Sequence, residues 1–279
     1  MRDKASLTQL LRRILKQTDH VRRFPRYESF AHASASTKGY EDQDITQMVS
    51  RKAVQLRQAL AKGGLEKSVS GRQTIQNMFV LRHVFQGEPL SVIDVGGACG
   101  ANFFILGHVL PGLIGKWNVV ETAGMAMEGR RRFQSGPLHF FEDLAKALGP
   151  TADQRPNLVL ASGVLQYLPN GAQALQSWTD TRADWIYLTR TVLGANCAKP
   201  VFTAQTTRIS DHGPGPLESA EHSGVACQPM VVNPLGAVRQ ILSRSYCCEY
   251  LFEEERDETT RIGPCLVRTI TAGFLYKRT

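Results

Sequence analysis

The chain has 279 residues, 42% of them hydrophobic and 21% charged, with a formal net charge of +8. This balance belongs to a folded globular protein and excludes a disordered one; the length suffices for one sizeable core plus an appendage. No run approaches the ~18 uninterrupted apolar residues of a membrane-spanning helix. Leu10-Leu11 is broken at once by Arg12-Arg13, so no signal-peptide core is read there, and a cytoplasmic location is expected. Six cysteines (Cys99, Cys197, Cys227, Cys247, Cys248, Cys265) show no C-x-x-C spacing and are read as reduced thiols, with no metal ligation expected.

The charge is concentrated at the start. Residues 1–26 carry eight Lys/Arg against Asp3 and Asp19, a balance of +6, which leaves +2 for the remaining 253 residues. Leu7, Leu10, Leu11, Ile14 and Leu15 recur at helical spacing, predicting an amphipathic basic helix. Such a helix docks its apolar stripe on the body, or it makes peripheral contact with an anionic membrane surface. Nucleic acid is not expected as a partner, because the body lacks a basic surface interleaved with aromatics.

Residues 1–88 are read as this basic helical cap with a substrate-side loop. The loop, 24–40, holds Pro25, Gly39 and a run of small residues without periodicity. Helices are predicted over 45–60, ended by Gly63-Gly64 in the manner of a glycine C-cap, and over 72–85. Strands at 91–95, 117–121, 138–141, 157–161 and 185–189 then alternate with helices at 101–110, 123–134, 143–148 and 172–180. A stretch at 193–233, rich in Gly, Pro, Ser and His, contains one strand-like piece at 201–208; long loops of this kind are usually functional, so a lid-like insertion is expected. A helix at 235–243 and two strands, 246–253 and 270–277, finish the chain. This order predicts an α/β fold with a doubly wound, Rossmann-like sheet of seven strands ending in an antiparallel hairpin, occupying 89–279.

The stretch Asp94-Val-Gly96-Gly97-Ala98-Cys-Gly100 carries the chemistry. A strand that stops on glycines and opens a helix lets backbone approach a ligand closely. Read from Gly96, a G-x-G-x-x-G dinucleotide fingerprint fails at Ala98 and Ala101. The S-adenosylmethionine pattern, acidic-x-G-x-G-x-G, is met except that Ala98 replaces the middle glycine. A carboxylate at the head suits a ligand carrying a cationic sulfonium and amine. Glu121 ends the next predicted strand, 21 residues beyond Gly100, where a carboxylate can accept both hydroxyls of a ribose. Asp143 is placed either on an adenine amino group, with Phe141 flanking the ring, or at the N-cap of the following helix.

The segment from Leu158 to Pro169 looks like the post-strand-four segment of small-molecule methyltransferases, which implies Ser162 and Gly163 beside the methionine moiety and Gln166 or Tyr167 facing the cofactor. More widely, F-A-H-A…G-Y-E, I-D-V-G-G-A-C-G, W-N-V-V-E, L-V-L-A-S-G-V-L-Q-Y-L, Y-L-T-R-T, F-T-A-Q and the final G-F-L-Y-K-R resemble, in their order, a bacterial family of S-adenosylmethionine-dependent methyltransferases associated with surface-polysaccharide gene clusters. The resemblance spans residues 24–279. It implies a class I methyltransferase fold, S-adenosylmethionine as cofactor and, through gene neighbourhood, a sugar or glycoconjugate hydroxyl as acceptor. Rival expectations are a nicotinamide-dependent oxidoreductase or epimerase and a non-catalytic binding protein on the same fold.

Methyl transfer to a hydroxyl profits from a general base within hydrogen-bond reach. Tyr40, His212 beside Asp211, and His222 beside Glu221 are the candidates. His32, Glu41, Arg190, Gln205 and Arg208 are candidates for acceptor binding, the arginines for an anionic group. His212, His222 and Cys227 match no known metal-ligand spacing.

Overall fold

The computed structural model describes residues 21–63, 71–149, 155–213, 224–253 and 258–279. The predicted basic helix, apart from its last residues, and His222 lie outside them. Among the described residues no helix is long and apolar enough to cross a membrane.

Near-continuous apolar runs make strands that are covered on both faces. Five of them pair in parallel: β2 (Leu90–Val95), β3 (Ile114–Val120), β4 (Leu138–Phe141), β5 (Leu158–Ser162) and β6 (Trp185–Gly194). Their order across the sheet is β4-β3-β2-β5-β6. The final strand, β11 (Cys265–Arg278), lies antiparallel to β6, and β9 (Tyr246–Glu253) lies antiparallel to β11. Counting these seven along the chain, the order reads 3-2-1-4-5-7-6 with the last strand reversed. The five parallel strands and the terminal antiparallel pair are those of the predicted α/β sheet.

Side-chain alternation sorts the sheet into two cores. Val92, Trp117, Val119, Leu158, Leu160, Trp185 and Tyr187 face one side, with α2 (Gln43–Ala61), α3 (Gly71–Val84), α4 (Ala101–Val109) and α5 (Ala123–Arg132). Ile93, Val159, Ala161, Ile186, Leu188 and Phe274 face the other, with α6 (Leu144–Leu148), α7 (Gly171–Asp180) and α8 (Leu235–Leu242). The helices before the first glycine turn therefore share a core with the sheet: Ile45, Met48, Val80 and Leu81 pack in the same cluster as Val92 and Trp117.

Three expectations need correction. The loop at 24–40 contains β1 (Arg23–Phe24) and a short helix, α1 (Phe30–Ala35), begun by Ser29, whose hydroxyl accepts from His32 N. The described residues of the stretch 193–233 are largely regular: β7 (Val201–Arg208) pairs in register with β8 (Val225–Pro234) as an antiparallel ribbon. Pro229 disguised β8, yet it is tolerated because at that point β8 has a strand neighbour on one side only, among the described residues. The charged segment after β9 contains β10 (Glu258–Ile262), which pairs with the first residues of β11.

Candidate active site

The glycine turn is shaped by what a side chain would hit. Gly96 has φ +68°, and a Cβ there would come 2.7 Å from Val164; a Cβ on Gly97 would come 2.5 Å from the Asp94 carboxyl. Gly100, φ +78°, starts α4 against Leu138 and Phe140. Ala98 occupies the left-handed region as well, φ +53°, at the position where the pattern calls for glycine. Its N–H donates to Glu121 Oε1 at 3.0 Å, and Thr122 N donates to Oε2 at 2.9 Å. The Glu121 carboxylate is thereby held at the end of β3. Burial pushes its pKa above the usual carboxylate range, against the pull of those two amides.

Asp94 lies one layer deeper. Fully buried, it accepts from Trp117 Nε1 at 3.1 Å and Asn102 Nδ2 at 3.4 Å, while its Oδ1 has no partner. Burial drives its pKa up to about 7. A polar chain continues outward from Asn102 to Asn77 and Gln73 of α3 and on to Thr189 of β6. Asp94 thus braces the turn from beneath rather than lining the open space above it.

That space is one cavity of about 1310 Å³. Gly96, Gly97, Ala98, Glu121, Glu142, Ser162, Gly163 and Tyr167 line one part of it, as the sequence reading expected for most of them. Tyr40, Arg190, Gln205 and His212 line the part nearer the β7–β8 ribbon, so four candidates from distant segments meet there. The rings of Tyr40 and Tyr167 meet edge-on at 4.7 Å, and Tyr40 and His212 at 5.5 Å. The Tyr167 hydroxyl donates to Gln205 Oε1 at 2.7 Å.

Geometry decides several expectations, and of the two readings of Asp143 the N-cap holds and the adenine contact does not. Asp143 is the N-cap of α6: its Oδ1 accepts from Lys146 N at 2.8 Å, and it does not line the cavity; its neighbour Glu142 does, paired with Arg130 at 2.6 Å. His32 is exposed and packs edge-on against Tyr27. Glu41 and Arg208 are exposed, and neither lines the cavity. Gly100 serves the turn, not the cavity wall. Tyr40 is unsuited to be a base, because burial, with Tyr167 beside it, holds its phenol far above the usual value.

His212, the other described base candidate, lines the cavity. It is 8% exposed, and burial lowers its pKa, more than Asp211 raises it, so the imidazole is neutral at neutral pH. Its Nε2 lies 2.9 Å from Thr207 Oγ1 and 3.3 Å from Gln228 Nε2. Behind it stands a residue the sequence reading missed. Lys52, in the apolar face of α2, is 5% exposed and donates to three carbonyls of the His212 turn: Ser210 (3.0 Å), His212 (3.1 Å) and Gly213 (2.7 Å). A lysine among Met48, Val49, Ala53 and Leu56 was the available signal.

Gln166 is 4% exposed, its Nε2 donates to Arg190 O at 3.2 Å, and its Oε1, on a residue lining the cavity, has no partner among the described residues. Arg190 itself sits at φ +54°, a conformation that costs a non-glycine residue energy and recurs at functional sites. Also missed were Gln73, Gln76, Asn77, Thr260, Thr269 and Thr271 on the cavity wall.

No family model and no curated protein matches the chain. Among solved structures it is similar to the magnesium protoporphyrin IX methyltransferase ChlM from Synechocystis PCC 6803 with bound SAM, at 12% identity over 75% of this chain and 79% of that one, with a TM-score of 0.43. It is also similar to the CcbJ methyltransferase from Streptomyces caelestis, at 12% identity over 75% and 97% and a TM-score of 0.45. A third is the PH0226 protein from Pyrococcus horikoshii OT3, at 12% identity over 75% and 91% and a TM-score of 0.46.

Proposed function

We propose that the chain is an S-adenosylmethionine-dependent methyltransferase acting on a hydroxyl of a small polar acceptor, a sugar or glycoconjugate intermediate. The observation that carries this reading is Glu121 held at the end of β3 beside the side-chain-free surface of Gly96 and Gly97, in a sheet ordered 3-2-1-4-5-7-6. A carboxylate so placed accepts a ribose diol, and the glycines leave room for the nucleoside and methionine parts. The cavity exceeds the usual ~300–1,000 Å³ of a single-ligand pocket, which supports two ligands side by side.

When bound, the cofactor supplies an electrophilic methyl group whose leaving group is already activated. The chain has then to align the acceptor, exclude water and receive a proton. Gln166 Oε1 offers an acceptor for a ligand N–H or O–H. Glu121, Ser162 and Gly163 hold the cofactor side; Gln205, Arg190 and the threonines of β10 and β11 hold the acceptor side. His212, neutral and edge-on to Tyr40, takes the proton of the attacking hydroxyl. A wall rich in amide and hydroxyl groups suits an acceptor with several hydroxyls, because each unpaired polar group on either partner would be costly.

The test is transfer of label from methyl-labelled S-adenosylmethionine to a panel of glycosides and nucleotide sugars. Label on oxygen is expected, with kcat at least tenfold lower in His212→Ala and the KM for cofactor unchanged. Label appearing only on amines or thiols, or a His212→Ala variant with full kcat, contradicts the assignment.

A further inference from the structure

A second cavity, of about 380 Å³, lies behind the β7–β8 ribbon. Alternation along the two strands separates it from the large one. Met230 and Val232 of β8, with Gln205 and Thr207 of β7, line the large cavity, whereas Val231 and Asn233, with Phe202, line the small one. Its walls are apolar: Phe202 and Val231 from the ribbon, Leu175 from α7, Val238 and Ile241 from α8.

One corner is polar. Gly171 and Ala172, the first residues of the ten-residue helix α7, line it, and the opening N–H groups of a helix have no partner within the helix. The Asn170 side chain caps Gln173 N, further into the helix. Beside them stands Asn233, 5% exposed, whose Nδ2 has no hydrogen-bond partner among the described residues. A Cβ on Gly171 would come 2.5 Å from Asn233 Oδ1, so only glycine lets α7 begin against that amide. A buried amide donor, kept unpaired next to the positive end of a helix, asks for an oxygen acceptor carrying negative charge.

We propose that this pocket binds a small apolar carboxylate at a site separate from methyl transfer. The carboxylate oxygens accept from Asn233 Nδ2 and from the first turn of α7, and the apolar body lies against Phe202, Leu175 and Ile241. The volume is at the small end of the usual range for ligand pockets, which fits a monocarboxylate rather than a nucleotide.

The experiment is calorimetric titration of the full chain with 3-phenylpropionate, repeated with 3-phenylpropanol and in the presence of saturating S-adenosylhomocysteine. Expected are saturable binding of the acid, at least tenfold weaker binding of the alcohol, and no competition by S-adenosylhomocysteine. Asn233→Asp, which sets a carboxylate against the ligand's own, and Ala237→Leu, which fills the pocket from α8, each weaken the acid at least tenfold while Tm stays within a few degrees. Absence of binding, displacement by S-adenosylhomocysteine, or binding that survives Ala237→Leu overturns the proposal. None of these results depends on what the large cavity binds.

Discussion

Ala98 is the residue at which sequence and backbone disagree, and it shows what one methyl group costs. The turn demands a left-handed residue there, since its N–H must reach Glu121, and alanine complies at φ +53°. An L-residue pays roughly 1–2 kcal/mol for that conformation, offset in part by the greater chain entropy that glycine loses on folding. Ala98→Gly is therefore expected to stabilise the fold by about 1 kcal/mol, raising Tm by roughly 2–4 °C, with S-adenosylhomocysteine affinity retained. Asp94 gives a second test. Its pKa, raised to about 7, means that the folded state holds a proton the unfolded chain has already released. Its contribution to stability is thus greatest at low pH and is lost as pH rises through 7. Asp94→Asn should raise Tm clearly at pH 8 and much less at pH 5.5; an equal gain at both values would contradict the assignment of the shift to burial. At this scale the sequence was readable where backbone shapes the turn, at Gly96 and Gly97, and where a strand end fixes a carboxylate, at Glu121. It was misread at His32, Glu41 and Arg208, and it left Asp143 open between two roles, because spacing places a residue near a strand end without saying where its side chain points.

Among the elements, the turn Ile209–Asp211 and its continuation to Gly213 depend on a helix 150 residues earlier in the chain. Lys52 satisfies three of its carbonyls from α2; its place in an apolar helix face marks it as buried but does not name its partner. Charge-assisted hydrogen bonds contribute about 1.5–3 kcal/mol each when partly buried, and they do not add fully. Lys52→Met is expected to cost at least about 2 kcal/mol by urea denaturation, with Lys52→Arg recovering part of it; a Lys52→Met protein as stable as the parent would mean that the turn holds without the clamp. Elements with strong periodicity were legible: α2, α3, β2, β4 and β7 fall within two residues of their predicted bounds. β8 was lost to Pro229 and to its glycine- and histidine-rich approach, and β10 to its charge. β10 has exposed positions, where apolar alternation is weak; β8 is buried from Gln228 to Pro234, but its Gln228, Pro229 and Asn233 break the apolar run, and pairing with a neighbour decides the structure.

Taken whole, the molecule assembles its cavity from both ends of the chain. The glycine turn and β3 form one wall, α2 and α3 a second, and the β7–β8 ribbon with β10 and β11 a third. The order of the strands comes from the structure alone, whereas the alternation of five parallel-type units and a terminal hairpin was legible. The far wall was not, since its Gln and Thr residues come from three elements, β7, β10 and β11, whose convergence is a property of topology. The central claim is that Glu121 and the glycine turn seat S-adenosylmethionine. Calorimetry with S-adenosylhomocysteine on the parent chain and on Glu121→Ala tests it most directly. Saturable one-to-one binding that falls more than tenfold in the variant, about 1.4 kcal/mol, is the predicted result. No binding at millimolar ligand, or equal affinity in the two proteins, would contradict it.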